Sequence, residues 1–182
     1  NKKSLDALCR AGAMRPLMDE RFTGEKHFWS AVVVDKPKNK KKLNENIENY
    51  RPEGAFTSSE KIQNIQTLTG IYPINMVLTE RAQTIIDNYK IPPISEYDAD
   101  LGTTWCIPIK NNVKKTKTGK WFYTIDVIDS NSQVTRLRCW GVDPNKDHIF
   151  LNKPYVLKYP KYNETWGFST YGAVDKKWMM IG

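Results

Sequence analysis

The chain has 182 residues, 40% of them hydrophobic, and a net charge of +8, which suits one medium domain or two small ones and argues against wholesale disorder. No apolar run approaches the roughly 18 residues that span a bilayer, and residues 1–10 lack the charged-then-apolar layout of a signal peptide. Cys9, Cys106 and Cys139 lack paired spacing, which excludes a disulfide scaffold or a zinc ribbon and fits small buried residues in a reducing cytosol.

The chain starts without an initiator Met, which suits the tail of a longer polypeptide. Residues 4–13 are predicted as a short helix, with Leu5, Leu8 and Cys9 on one face and Gly12 near its end. After Arg15-Pro16 the sequence is less regular and carries one short apolar run, residues 28–34. Residues 36–49 are charged and nearly free of large apolar side chains, so they read as a linker or exposed loop. The cluster Lys38, Lys40, Lys41 and Lys42 either grips phosphate or is solvated. Thr57 and Glu60 have the spacing of a capping box, opening a helix whose apolar face holds Ile62, Ile65 and Leu68. Gly70 and Pro73 end it. A second helix is predicted over 75–89, with Leu78, Ala82, Ile85 or Ile86, and Tyr89 on its buried side. Pro92-Pro93 cannot continue it. Residues 1–100 thus form a helical region with a charged linker near 36–49.

From residue 104 the periodicity becomes that of strands. Strands are predicted at 104–114, 121–129, 133–140, 154–159 and 177–181, with an extension at 166–171. A basic turn, Lys115-Thr116-Lys117-Thr118-Gly119-Lys120, joins the first two. These features point to a five-stranded OB-fold β-barrel over 101–182, and to an α+β class for the chain.

The charge belongs to this segment. Residues 101–182 hold 11 Lys and 2 Arg against 5 Asp and 1 Glu, a balance that attracts a polyanion. Alternation assigns Ile125, Val127, Leu137 and Cys139 to the barrel interior and leaves Phe122, Arg136, Arg138 and Trp140 outside on adjacent strands. Exposed rings stack unpaired bases while guanidinium groups hold the backbone. Lys114, Lys115, Lys117 and Lys120 of the first hairpin would clamp the strand, and Lys158, Tyr159 and Lys161 would extend the track. The alternative is that Phe122 and Trp140 pack against the helical half, with the arginines snorkelling around them. His27 and His148 stand in unlike contexts, and no phosphate-cradling glycine loop is present. Asp98 and Asp100 read as turn residues rather than Mg²⁺ ligands. No catalytic residue, metal or cofactor is therefore assigned.

Three blocks in order carry a family resemblance: KSLDALCRAGA at 3–13; residues 59–98 with Glu60-Lys61, Gly70, Tyr72 and Pro73; and the basic hairpin with its aromatic-led second strand. Together they resemble the C-terminal region of bacterial-type C-family replicative DNA polymerase III alpha subunits. The first is similar to the helix closing that family's helix-hairpin-helix region. The second is similar to the segment before its OB domain, with a more tightly spaced break, and the third to the opening of the barrel. The resemblance implies a non-catalytic part of a DNA-directed DNA polymerase, lying downstream of the polymerase carboxylates and holding single-stranded DNA template during replication. It implies the sliding clamp or other replisome proteins as further partners, although residues 16–58 hold no good copy of the family's Gln-x-x-Leu/Met-Phe-like clamp peptide. A cytoplasmic monomer without a membrane partner is expected, in a bacterium or, for a viral protein, its host. Two other readings stay open: a replisome module whose outer face binds protein, and an RNA- or tRNA-binding OB domain.

Overall fold

The computed structural model describes residues 1–50 and 54–182, and the chain forms two compact units, Asn1–Pro73 and Ile74–Gly182. The expected division after residue 100 thus moves upstream, and residues 74–100 belong with the sheet.

The first unit is helical. It contains α1 (Lys2–Arg10), α2 (Glu25–Phe28), α3 (Lys40–Asn49) and α4 (Ser58–Thr69). Beyond α2 the apolar run Trp29–Val34 continues as a wider helix, closed by Asp35 N–H donating to the Ser30 carbonyl. Cys9, Phe28 and Val33 form the core, with Phe22 and Trp29 packed against it. Thr57 and Glu60 do form a reciprocal capping box, at 2.7 and 3.2 Å.

Residues 40–49 are a helix, which corrects the linker expected over 36–49. Asn39 caps its first turn. The helix is held by a polar contact rather than an apolar stripe: Asn46, 1% exposed, donates to the carbonyls of Ala31 and Asp35 at 2.9 and 2.7 Å. His27, also 1% exposed, accepts from Thr23 N–H at Nδ1, and its Nε2 lies 2.9 Å from the Ile47 carbonyl. A carbonyl only accepts, so Nε2 carries the proton of a neutral ring.

The second unit begins with a single tight turn at Ile74–Met76 and α5 (Glu80–Asn88), capped by Thr79. The helix predicted from residue 75 therefore starts later. Ala82 and Ile86 face the core, but Tyr89, expected beside them, is 77% exposed. It lies at the helix end, where the chain reverses through Lys90 at φ +49°. The Pro92 carbonyl accepts from Trp105 N–H and Thr104 Oγ1, tying this segment to the first strand.

The strands are β1 (Thr103–Lys115), β2 (Trp121–Ile128), β3 (Thr135–Trp140), β4 (Tyr155–Lys158), β5 (Lys161–Asn163), β6 (Gly167–Tyr171) and β7 (Trp178–Met180). A short α6 (Val174–Lys177) precedes the last. They form one sheet of order β5-β6-β3-β2-β1-β4-β7, so the unit is mixed α+β with seven strands instead of five. The β3–β6 pair is parallel and the others antiparallel. The sheet curls because β1 serves two partners: Thr103–Cys106 pairs with β4, and Ile107–Lys115 pairs with β2, with a bulge between Pro108 and Lys110. Only Tyr159 and Pro160 separate β4 from β5, so strands from opposite ends of the ladder join in one bent stretch of chain. The segment expected as an extension is β6, which pairs with β3. The segment expected as the fifth strand is β7, an edge strand on β4.

Alternation along β2 and β3 sends Ile125, Val127, Leu137 and Cys139 into the core, each 0% exposed. Leu157 and Trp178 complete it. Among the described residues no helix is long and apolar enough to cross a membrane.

Candidate nucleic-acid interface

Strand register builds the outer face in rows. Lys114 on β1, Phe122 on β2, Trp140 on β3 and Tyr171 on β6 are successive cross-strand neighbours. The next row holds Asn112, Thr124, Arg138, Ser169 and Lys161. The third places Lys110, Asp126 and Arg136 side by side. Phe122 and Trp140 stack with centroids 4.5 Å apart and planes 23° apart. That spacing is close to the distance between neighbouring strands, so the rings stand on edge above the sheet and lean on each other.

The two arginines differ. Arg136 forks onto Asp126, Nε to Oδ1 at 2.7 Å and Nη2 to Oδ2 at 3.2 Å. Those hydrogen bonds also raise the pKa of its guanidinium above the ordinary value. Its charge is thus matched within the protein. Arg138 donates to the Trp166 carbonyl and lies 5.3 Å over the Trp166 ring. Among the described residues no carboxylate is within ion-pair distance of Arg138, Lys114 or Lys161.

In the first hairpin Gly119 sits at φ +82° and Thr116 Oγ1 accepts from Lys120 N–H, which shapes the turn. Lys115, Lys117 and Lys120 are exposed on it, with Lys115 Nζ 4.5 Å over the Trp121 ring. Lys161 joins the face beside Tyr171, 5.8 Å over its ring. Lys158 and Tyr159 do not join it. Lys158 pairs across the β1–β4 ladder with Thr103. The Tyr159 ring covers Gly102 and carries Lys177 at 5.9 Å.

Two hollows meet at Arg136, Arg138 and Trp166, one on this face and one on the core side of β6, where Phe168 pairs with Leu137. One, of about 460 Å³, is lined by Lys114, Phe122, Trp140, Arg138, Trp166 and Tyr171 among others. The other, about 1080 Å³, has Tyr97, Tyr162 and Phe168 in its lining and shares Arg136, Arg138 and Trp166 with the first. Sequence reasoning missed Tyr97, Tyr162, Trp166 and Tyr171. For Trp166 a signal was present: Asn163 followed four residues later by Gly167 marks a side-chain-capped turn. Asn163 Oδ1 indeed accepts from Thr165 and Trp166 N–H at 2.9 and 3.1 Å.

Other chemistry is sparse. Among the described residues no cluster of His, Cys, Asp or Glu could hold a metal ion. Cys106 and Cys139 are 0% exposed, and burial pushes both thiols up, away from the reactive thiolate. Asp98 accepts from Asp100 N–H at 2.9 Å, a turn contact. No protein-family model and no curated protein matches the chain.

Proposed function

We propose that the second unit is an OB-like barrel that binds single-stranded DNA, in a chain that is a non-catalytic C-terminal part of a C-family replicative polymerase alpha subunit. The observation that carries the binding reading is the aromatic row Phe122–Trp140–Tyr171, flanked by the carboxylate-free cations Lys114, Arg138 and Lys161. A single strand offers unpaired bases to the rings and phosphates to the cations, and duplex DNA offers only the latter. Catalysis is not part of the reading.

The OB-like part is supported by the pairing pattern. With β4 and β5 read as one bent strand, the ladder runs β1, β2, β3, β6 and back to β1 through that strand, and β7 is an added edge. In such barrels oligonucleotides bind across the second and third strands, between the first hairpin and the loop joining the last two. Here those loops are the lysine-rich β1–β2 turn and the Trp166 turn. Membership of a polymerase rests on the three sequence blocks.

The test is fluorescence anisotropy of a labelled single-stranded oligonucleotide titrated with the whole chain, against duplex and RNA competitors. Trp140→Ala is expected to weaken binding by about 1–3 kcal/mol, with its fold checked by thermal unfolding. Absence of binding at low salt would overturn the reading, and stronger competition by RNA would redirect it to an RNA-binding barrel.

A further inference from the structure

Trp166 is a large ring, 63% exposed, on a turn whose backbone is held on both sides of the residue. Asn163 Oδ1 accepts from its backbone N–H and Arg138 donates to its backbone carbonyl, while the ring itself meets the Arg138 guanidinium, 5.3 Å from its centre. Gly167 follows at φ +71°, and a Cβ there would sit 3.3 Å from the Arg136 carbonyl, so the turn that presents the ring needs glycine. Ordering an exposed side chain costs conformational entropy without the return of burial. An ordered ring at such a place is prepared for a contact made outside the chain.

The position of the ring gives that contact its form. Arg136, Arg138 and Trp166 line both hollows and form the border between them, and of the two arginines Arg136 is already matched by Asp126. On one side the rows end at Trp140 and Tyr171, cross-strand neighbours that leave space above the sheet. On the other, round the end of the β5–β6 hairpin and on the core side of β6, Tyr97 and Tyr162 flank Phe168 at 5.8 and 4.9 Å, an aromatic floor with Lys161 at its rim. At about 460 and 1080 Å³, each hollow is large enough for a base with its sugar, by comparison with the ~300–1,000 Å³ of ordinary ligand clefts.

We propose that Trp166 is a wedge that separates two successive bases of the bound strand, one in each hollow, while Arg138 holds the phosphate between them. The inference rests on the single-strand reading and adds to it a division of the strand at one step. The cations favour a polyanion over a neutral peptide, and two aromatic floors on either side of one border match a strand unstacked at one place.

The experiment uses an oligonucleotide of about eight nucleotides, within the span of one OB fold, carrying two adjacent 2-aminopurines. Stacked 2-aminopurines give an exciton-coupled circular dichroism band, which disappears when they part. The pair is moved stepwise along the oligonucleotide and read at saturation with the whole chain. The wild type is expected to abolish the band at one register. Trp166→Ala is expected to bind about 5- to 100-fold more weakly and to keep the band at every register, and Trp166→Phe to restore its loss. Binding by the wild type with the band kept throughout would overturn the wedge alone. Loss of the band by Trp166→Ala as in the wild type would do the same. Failure of the wild type to bind any of the oligonucleotides would overturn both the wedge and the single-strand reading beneath it.

Discussion

Arg136 and Arg138 project from the same side of β3 two residues apart, and their partners give them different uses. Arg136 is neutralised by the half-buried Asp126, whereas Arg138 meets only a carbonyl and a ring. A guanidinium matched by a carboxylate adds little to phosphate attraction, because the ion pair already screens it. Asp126→Asn should therefore free Arg136 for the ligand. Single-strand affinity is expected to rise, and the slope of log affinity against log salt to steepen by about 0.7, the contribution of one added phosphate contact. Anisotropy titrations over a salt series check both. A fall in affinity would show that Asp126 positions Arg136 for a role other than charge.

Elements were legible where their signals are local. The Thr57–Glu60 box, the alternation of β2 and β3 and the basic first hairpin are each visible within a few residues. The interior set Ile125, Val127, Leu137 and Cys139 follows from that alternation alone. Non-local causes hid the rest. The helix α3 is held by two buried polar side chains, Asn46 answering carbonyls 11 and 15 residues away and His27 against the Ile47 carbonyl, and hydrophobic periodicity carries no trace of such bonds. Residues 167–171 and 178–180 are both short segments of mixed character. Which of them pairs with β3 depends on the bend at Tyr159-Pro160, where proline lacks the N–H a ladder needs. Tyr171 therefore lies outside the predicted site, whereas the turn that presents Trp166 is marked locally by Asn163 and Gly167. The account of α3 has a test: Asn46→Ala leaves the Ala31 and Asp35 carbonyls without that donor, and should destabilise the first unit by about 1–3 kcal/mol. Amide hydrogen exchange should quicken first in Lys40–Asn49. Unchanged protection there would mean that His27 or apolar contacts hold the helix.

For the whole molecule, the charge distribution supports the proposed nucleic-acid partner of the aromatic face over a protein. Residues 101–182 carry 13 of the 28 basic side chains but 6 of the 20 acidic ones, a surplus of seven positive charges out of the total of eight. The structure divides these cations further. Lys114, Arg138 and Lys161 stand at the hollows, Lys115, Lys117 and Lys120 lie on the hairpin, and Lys158 and Lys177 lie elsewhere, against β1 and Tyr159. At about 0.7 per phosphate contact on single strands, the three cations at the hollows alone give a salt slope of about −2, and adding the hairpin gives about −4. Replacing Lys115, Lys117 and Lys120 together by Ala should thus move the slope from about −4 towards −2, without altering the aromatic row. A triple variant that left the slope unchanged would place the hairpin away from the strand. A wild-type affinity insensitive to salt would mark the face as an apolar contact, in which Phe122, Trp140 and Tyr171 meet another protein's side chains instead of bases.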